Sequence, residues 1–156
     1  LFITRTEQSL SFYQNNKLIK KYSISTASLG VEQKKDTNKT PLGIHIIRAK
    51  IGERVPKLAV IKGRRFTNQI WSPKLESDSK EVDWILTRVL WLSGTEIGKN
   101  RMGEFDSMQR YIYIHGTNEE SLLGTPSSHG CVRMANEDII ELFDLAKVGD
   151  QVEIEE

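Results

Sequence analysis

A mainly β domain with a short helix near its C-terminus is the fold class this sequence predicts, and three observations carry the prediction. Apolar residues alternate with polar ones in several short runs, among them "KLIKKYSIS", "IHIIR" and "RYIYIH", the period of a half-buried strand. Turn-forming Gly, Asn and Pro separate these runs. Only "ANEDIIELFDLAKVG" joins helical spacing to start and stop signals.

Taken in order, "SLSFY" and "KLIKKYSIS" form a hairpin with Asn15 and Asn16 at its turn; Leu18, Tyr22 and Ile24 share one parity of the second strand. "LGVEQKKDTNKTPLG" reads as a long polar loop closing on Pro41 and Gly43 before the strand "IHIIR", and "KLAVIKG" as another short β-run. "EVDWILTRVLWLSG" is ambiguous. Val82, Ile85, Leu86, Val89 and Leu90 fit a helical stripe, yet Trp84, Ile85, Thr87, Val89 and Trp91 favour strands. In the late helix, Asn136 is the candidate N-cap, Glu137 and Asp138 occupy the first turn, Ile139, Leu142, Phe143 and Ala146 form the stripe, and Gly149 lies beyond the end. Val152 and Ile154 alternate in a last strand.

The 156 residues suit one domain, 1–156, able to bury a core without staples. Its 22 basic and 21 acidic side chains nearly cancel, so composition points away from nucleic acid as a partner. One cysteine excludes an intrachain disulfide, and no C-x-x-C pair announces structural zinc. No run approaches the roughly 18 apolar residues of a transmembrane span. "LFITRTEQSL" lacks a signal-peptide pattern and an initiating methionine, so any leader segment is expected to be missing from this chain.

The stretch "YIYIHGTNEESLLGTPSSHGCVRM" holds two of the three histidines and the only cysteine. If "RYIYIH" is a strand, Tyr111, Tyr113 and His115 share one face and the imidazole ends it. The loop to Cys131 is long and flexible enough to return the thiol to that imidazole. Such a neighbour acts as base or holds a thiolate as an ion pair. Gly130 permits close backbone approach, the amides around Cys131 suit an oxyanion, and Arg133 offers a fork for a carboxylate. Against this stand a buried, inert cysteine, zinc bound by His115, His129 and Cys131 without an evident fourth ligand, and a serine nucleophile at Ser127 or Ser128 without the turn that would present it. His45 and the three tryptophans read as packing residues, Trp71 being the most open to a substrate role. "TEIGKNRMGEFDSMQR" reads as a lid or as a plain solvated loop, with Lys99, Arg101 and Arg110 able to attract acidic peptides.

"YIYIHGTN" followed by "SSHGCVRM" resembles the signature of the L,D-transpeptidase catalytic domain, the YkuD family, and the likeness extends to the opening hairpin, to "KTPLGIHII" and to the closing helix and strand. The resemblance implies a β-sandwich or barrel-like domain and favours strand for "DWILTRVLWL". It implies Cys131 as nucleophile, His115 as general base oriented by the Gly116 carbonyl, His129 shaping the pocket, and the Gly130 and Cys131 amides as oxyanion donors. Arg133 stands where the family often has asparagine; together with Tyr113, Asn118 and Ser128 it makes the expected substrate-binding set. The implied activity is cysteine acyl transfer on peptidoglycan tetrapeptide stems, releasing D-alanine and forming 3→3 cross-links, with no metal or other cofactor. L,D-carboxypeptidase action, anchoring of an acceptor lipoprotein and a non-catalytic wall-binding module are the alternatives. Periplasm or cell envelope is the implied address, and acylation by carbapenems an implied property.

Overall fold

The computed structural model describes residues 1–80 and 83–156. Its strands are β1 (Phe2–Thr4), β2 (Ser9–Gln14), β3 (Lys17–Ser25), β4 (Gly43–Ile51), β5 (Ala59–Lys62), β6 (Arg65–Ile70), β7 (Leu86–Gly94), β8 (Tyr113–Gly116), β9 (Val132–Met134) and β10 (Gln151–Glu155). Two helices, α1 (Pro73–Asp78) and α2 (Asn136–Leu145), complete it with two short 3₁₀ turns, Gly103–Phe105 and Glu120–Leu122. The fold is mainly β, as the alternation predicts.

The strand order is β4-β10-β1-β2-β3-β9-β8-β7, and β7 pairs back with β4, closing the sheet into a barrel with the β5–β6 hairpin attached beside β7. Closure removes the exposed edges that an open sheet would present. The core is filled by the inward parity of these strands, including Ile3, Leu10, Ile24, Ile47, Leu90, Leu92, Ile114, Val132, Met134 and Ile154, all almost fully buried. Helix α2 closes it with Ile139, Leu142 and Phe143.

The Asn15–Asn16 turn is observed with positive φ at both residues, 51° and 61°, the two-residue geometry whose twist suits a hairpin. Beyond it the parity argument weakens: Leu18 is exposed because the first half of β3 projects past the barrel, while Tyr22 and Ile24 are buried. The ambiguous segment resolves as strand β7. It lies between β4 and β8 and must complete both ladders, which a helix cannot do. Val82 of the alternative helical stripe lies outside the described residues.

Two expectations are corrected. Asn136 is not the N-cap of α2; Ala135 occupies that position, and Asn136 turns its buried side chain inward, donating to the Thr117 carbonyl and Glu120 and accepting from the Thr87 hydroxyl. Strand β8 begins at Tyr113, because Tyr111 has φ 54° and belongs to the preceding turn. Helix α1 was not expected, although "WSPKLE" carries its signals: Ser72 Oγ accepts from Leu75 N at 3.1 Å and Pro73 takes the first helical position.

Candidate active site

Parallel pairing of β8 with β9 sets the site. His115 lies opposite Arg133, and Ile114 opposite Val132, so the isoleucine and valine enter the core while Tyr113, His115, Cys131 and Arg133 share the other face. Cys131, one residue before β9, is thereby brought against β8: its Sγ accepts from the Tyr113 amide and donates to the Tyr111 carbonyl, both at 3.4 Å.

His115 is fully buried. Its Nδ1–H donates to the Gly116 carbonyl at 2.7 Å, which leaves Nε2 as the lone-pair nitrogen, and that atom is buried without a hydrogen-bond partner. Burial holds the imidazole below its ordinary pKa, opposed by Asp83 and the Gly116 bond. Gly116 must lack a side chain, since a Cβ there would collide with Asn136 Oδ1 and the Leu86 carbonyl.

The thiol is half-buried, and burial pushes it up to about 12, against the lowering pull of the Tyr113 amide, Arg133 and Arg110. Burial thus disfavours the charged form of both groups, the thiolate and the imidazolium.

The loop before the nucleophile is tightly tied. Gly130 adopts φ 132°, its carbonyl accepts from Thr40 Oγ1 at 3.0 Å, and its amide donates to Ser128 Oγ at 3.3 Å. Ser128 Oγ in turn donates to the Cys131 carbonyl. Service of the Gly130 amide as an oxyanion donor requires the long Ser128 bond to open. His129 is exposed, with Nδ1 3.9 Å from Asp83, and borders a cleft of about 310 Å³ shared with Tyr111, Ile112, Gln109 and Arg110.

Arg133 is buried and engaged through both terminal nitrogens, while its Nε has no hydrogen-bond partner. Its guanidinium donates to Glu119 at 2.8 Å, Asp83 at 2.9 Å and the Ser127 carbonyl at 3.2 Å, so it ties the strand to the loop and to the segment before β7. Tyr113 is buried beside Cys131. Asn118 sits apart, donating to Glu76 at 3.1 Å in a second cleft lined by Trp71, Thr117 and Asn136. Among the described residues no three His, Cys, Asp or Glu side chains gather as a metal-ligand set.

The segment read as a lid or a plain solvated loop is tied down at several points. Buried Asn100 donates to the Leu42 and Ile44 carbonyls, Asp106 accepts from two loop amides, and Ser107 meets His45. Arg110 from the same segment binds the carbonyls of Glu32, Gln33 and Lys39, strapping the long polar loop beside the thiol. Lys99 pairs with Glu96. Sequence reasoning missed Asp83 and Glu119, whose partner Arg133 lies 50 and 14 residues away; nothing local to either carboxylate announces it.

The family model of the L,D-transpeptidase catalytic domain (YkuD) matches residues 1–154. Among curated relatives, the probable L,D-transpeptidase YbiS of Escherichia coli is 33% identical over 95 residues, covering 53% of this chain and 31% of its own length. The putative L,D-transpeptidase YkuD of Bacillus licheniformis is 46% identical over 46 residues, 30% of this chain and 28% of its own. These matches thus span about a third or less of the relatives' length. Among solved structures, L,D-transpeptidase 3 of Mycobacterium tuberculosis, with a faropenem-derived adduct, superposes with TM-score 0.60 at 13% identity over 99% of this chain and 59% of that one. An L,D-transpeptidase of Mycobacterium smegmatis gives 0.59 at 16% identity, over 99% of this chain and 57% of that one. A family match over almost the whole length, on a barrel that brings Cys131 back to the histidine strand, means that this chain belongs to the L,D-transpeptidase catalytic domain family.

Proposed function

We propose that the domain catalyses cysteine acyl transfer on peptidoglycan tetrapeptide stems. The observation that carries the reading is His115: its Nδ1–H is fixed on the Gly116 carbonyl and its buried Nε2 is unpaired on the face that also bears Cys131. A base held in one tautomer with its lone pair free is what activation of a high-pKa thiol requires.

In the reaction, Nε2 takes the thiol proton as Sγ attacks the carbonyl of the diaminopimelate residue. The oxyanion is met by the Cys131 and Gly130 amides. The imidazolium then protonates the departing D-alanine amine, leaving a thioester on Cys131. The side-chain amine of a second stem attacks that thioester, gives its proton to His115, and forms the 3→3 cross-link with the thiol restored. Water in the same role gives L,D-carboxypeptidase action, and a lipoprotein lysine gives anchoring. Arg133 supports this machinery from beneath, and the exposed His129 borders the substrate cleft. The substrate places the domain's work in the periplasm or cell envelope. The same attack opens a carbapenem ring, so incubation with one is expected to add its mass to Cys131.

Incubation with a disaccharide tetrapeptide, with products weighed by mass spectrometry, tests the reading. Release of D-alanine with a cross-linked dimer is expected, and Cys131→Ala is expected to release none. A tripeptide monomer alone would assign the carboxypeptidase reaction. No release by the parent protein would leave the non-catalytic wall-binding alternative standing.

A further inference from the structure

Two arginines converge on one aromatic ring next to the nucleophile. Arg64 lies with its guanidinium carbon 5.1 Å from the Trp91 ring centroid and 4.9 Å from that of Tyr111, and its edge also reaches the Tyr113 hydroxyl. Arg48 lies 5.6 Å from the same Trp91 ring. Trp91 packs on both tyrosines, with centroids 6.2 Å apart in each case. The Tyr111 carbonyl and the Tyr113 amide are the two groups that hold Cys131 Sγ.

Backbone irregularities put both arginines there. The β4–β7 register shifts between Ile47 and Ala49, leaving Arg48 unpaired in the ladder, as a bulge does when it re-aims a side chain. Arg64 has φ 63° in the two-residue turn joining β5 to β6, a conformation that Asn or Gly adopts at little cost and a long side chain does not. Strain of this kind collects at binding and catalytic sites. Among the described residues no carboxylate lies within ion-pair distance of either guanidinium; their partners are aromatic. A guanidinium held against aromatic rings can still offer N–H groups to an anion, and Arg64 keeps those not turned to the tyrosine hydroxyls.

We propose that Arg48 and Arg64 form a carboxylate subsite, gripping a free carboxylate of the stem peptide beside the scissile bond. This rests on the acyl-transfer reading, since that substrate supplies the anion. Two carboxylates qualify: the C-terminal one of D-alanine and the free one of diaminopimelate.

The test measures binding to Cys131→Ala protein by calorimetry, using the disaccharide tetrapeptide, its D-alaninamide form, and a form amidated on the diaminopimelate carboxylate. One amidated form is expected to bind about tenfold more weakly than the acid, as loss of a charge-assisted contact implies, and it identifies the carboxylate. Adding Arg64→Gln is expected to abolish that preference, Arg48→Gln to reduce it, and Arg64→Lys to keep part of it. Equal binding of all three peptides, no measurable binding, or a preference surviving Arg64→Gln would overturn the subsite. So would an equal loss of affinity for acid and amide, which marks a merely structural role. Failure of the acyl-transfer reading is separately visible, as a parent protein that binds with carboxylate preference yet releases no D-alanine.

Discussion

At the residue scale, the proposed chemistry turns on Cys131 and His115, whose charged forms burial disfavours. With Cys131 raised to about 12, its thiolate is scarce at neutral pH, rarer than in free cysteine. Alkylation of Cys131 by iodoacetamide at pH 7 is therefore expected to be slower than that of free cysteine and to climb steeply above pH 9. A rate above that of free cysteine would mean a preformed thiolate–imidazolium pair. Because burial lowers His115, its base form persists below the ordinary histidine range. The rate kcat/KM is expected to be flat from pH 8 to about 6.5 and to fall only at more acid pH. An acid limb centred near pH 7 in the measured profile would contradict the assigned cause.

At the scale of elements, the site depends on how β8, β9 and α2 are tied together. Asn136 joins the first turn of α2 to the Thr117 carbonyl after β8 and to Thr87 of β7. Asn136→Ala is expected to cost about 2–3 kcal/mol, through buried groups left without partners, read as a lower urea midpoint at unchanged slope. Arg133 does similar work between β9, Glu119 and Asp83. Arg133→Ala is expected to cost roughly 2 kcal/mol, less at high salt because both carboxylates are partly in water and screened. Denaturation at two ionic strengths checks this. In α1, loss of the Ser72 cap should cost about 1 kcal/mol, readable as a small fall in Tm on Ser72→Ala.

At the scale of the whole molecule, His45 links barrel stability to pH. It is fully buried on β4, between the Gly43 carbonyl at 3.0 Å and Ser107 Oγ at 2.9 Å, and burial lowers it to about 4. The folded state keeps it neutral while the unfolded chain protonates near pH 6.5. Its contribution is therefore complete above about 6.5 and is lost progressively as pH falls to about 4, on the order of 3 kcal/mol in all. His45→Gln is expected to flatten the difference between urea midpoints measured at pH 7 and pH 4.5. An unchanged difference would assign the acid sensitivity to other groups.

Period-two alternation, the Asn15–Asn16 turn and the late helix, though not its N-cap, were legible in the sequence because each is a local signal. The sequence also singled out His115 and Cys131 as candidates, a strand-ending histidine and a glycine-flanked cysteine, and the roles proposed for them rest on the family resemblance. Other features were settled by partners distant along the chain. Whether "DWILTRVLWL" is strand depended on the two neighbours it pairs with. Asn136 left the cap for buried acceptors on β7 and after β8, and Arg133 took its place between carboxylates at positions 83 and 119. The gathering of Arg48 and Arg64 on Trp91 required a bulge and a turn that no periodicity encodes. Sequence alone determined the residue types and local periods from which the barrel and its candidate pair, His115 and Cys131, are built. Tertiary structure decided their burial and partners, because desolvation and hydrogen-bond geometry exist only once distant segments exclude water together.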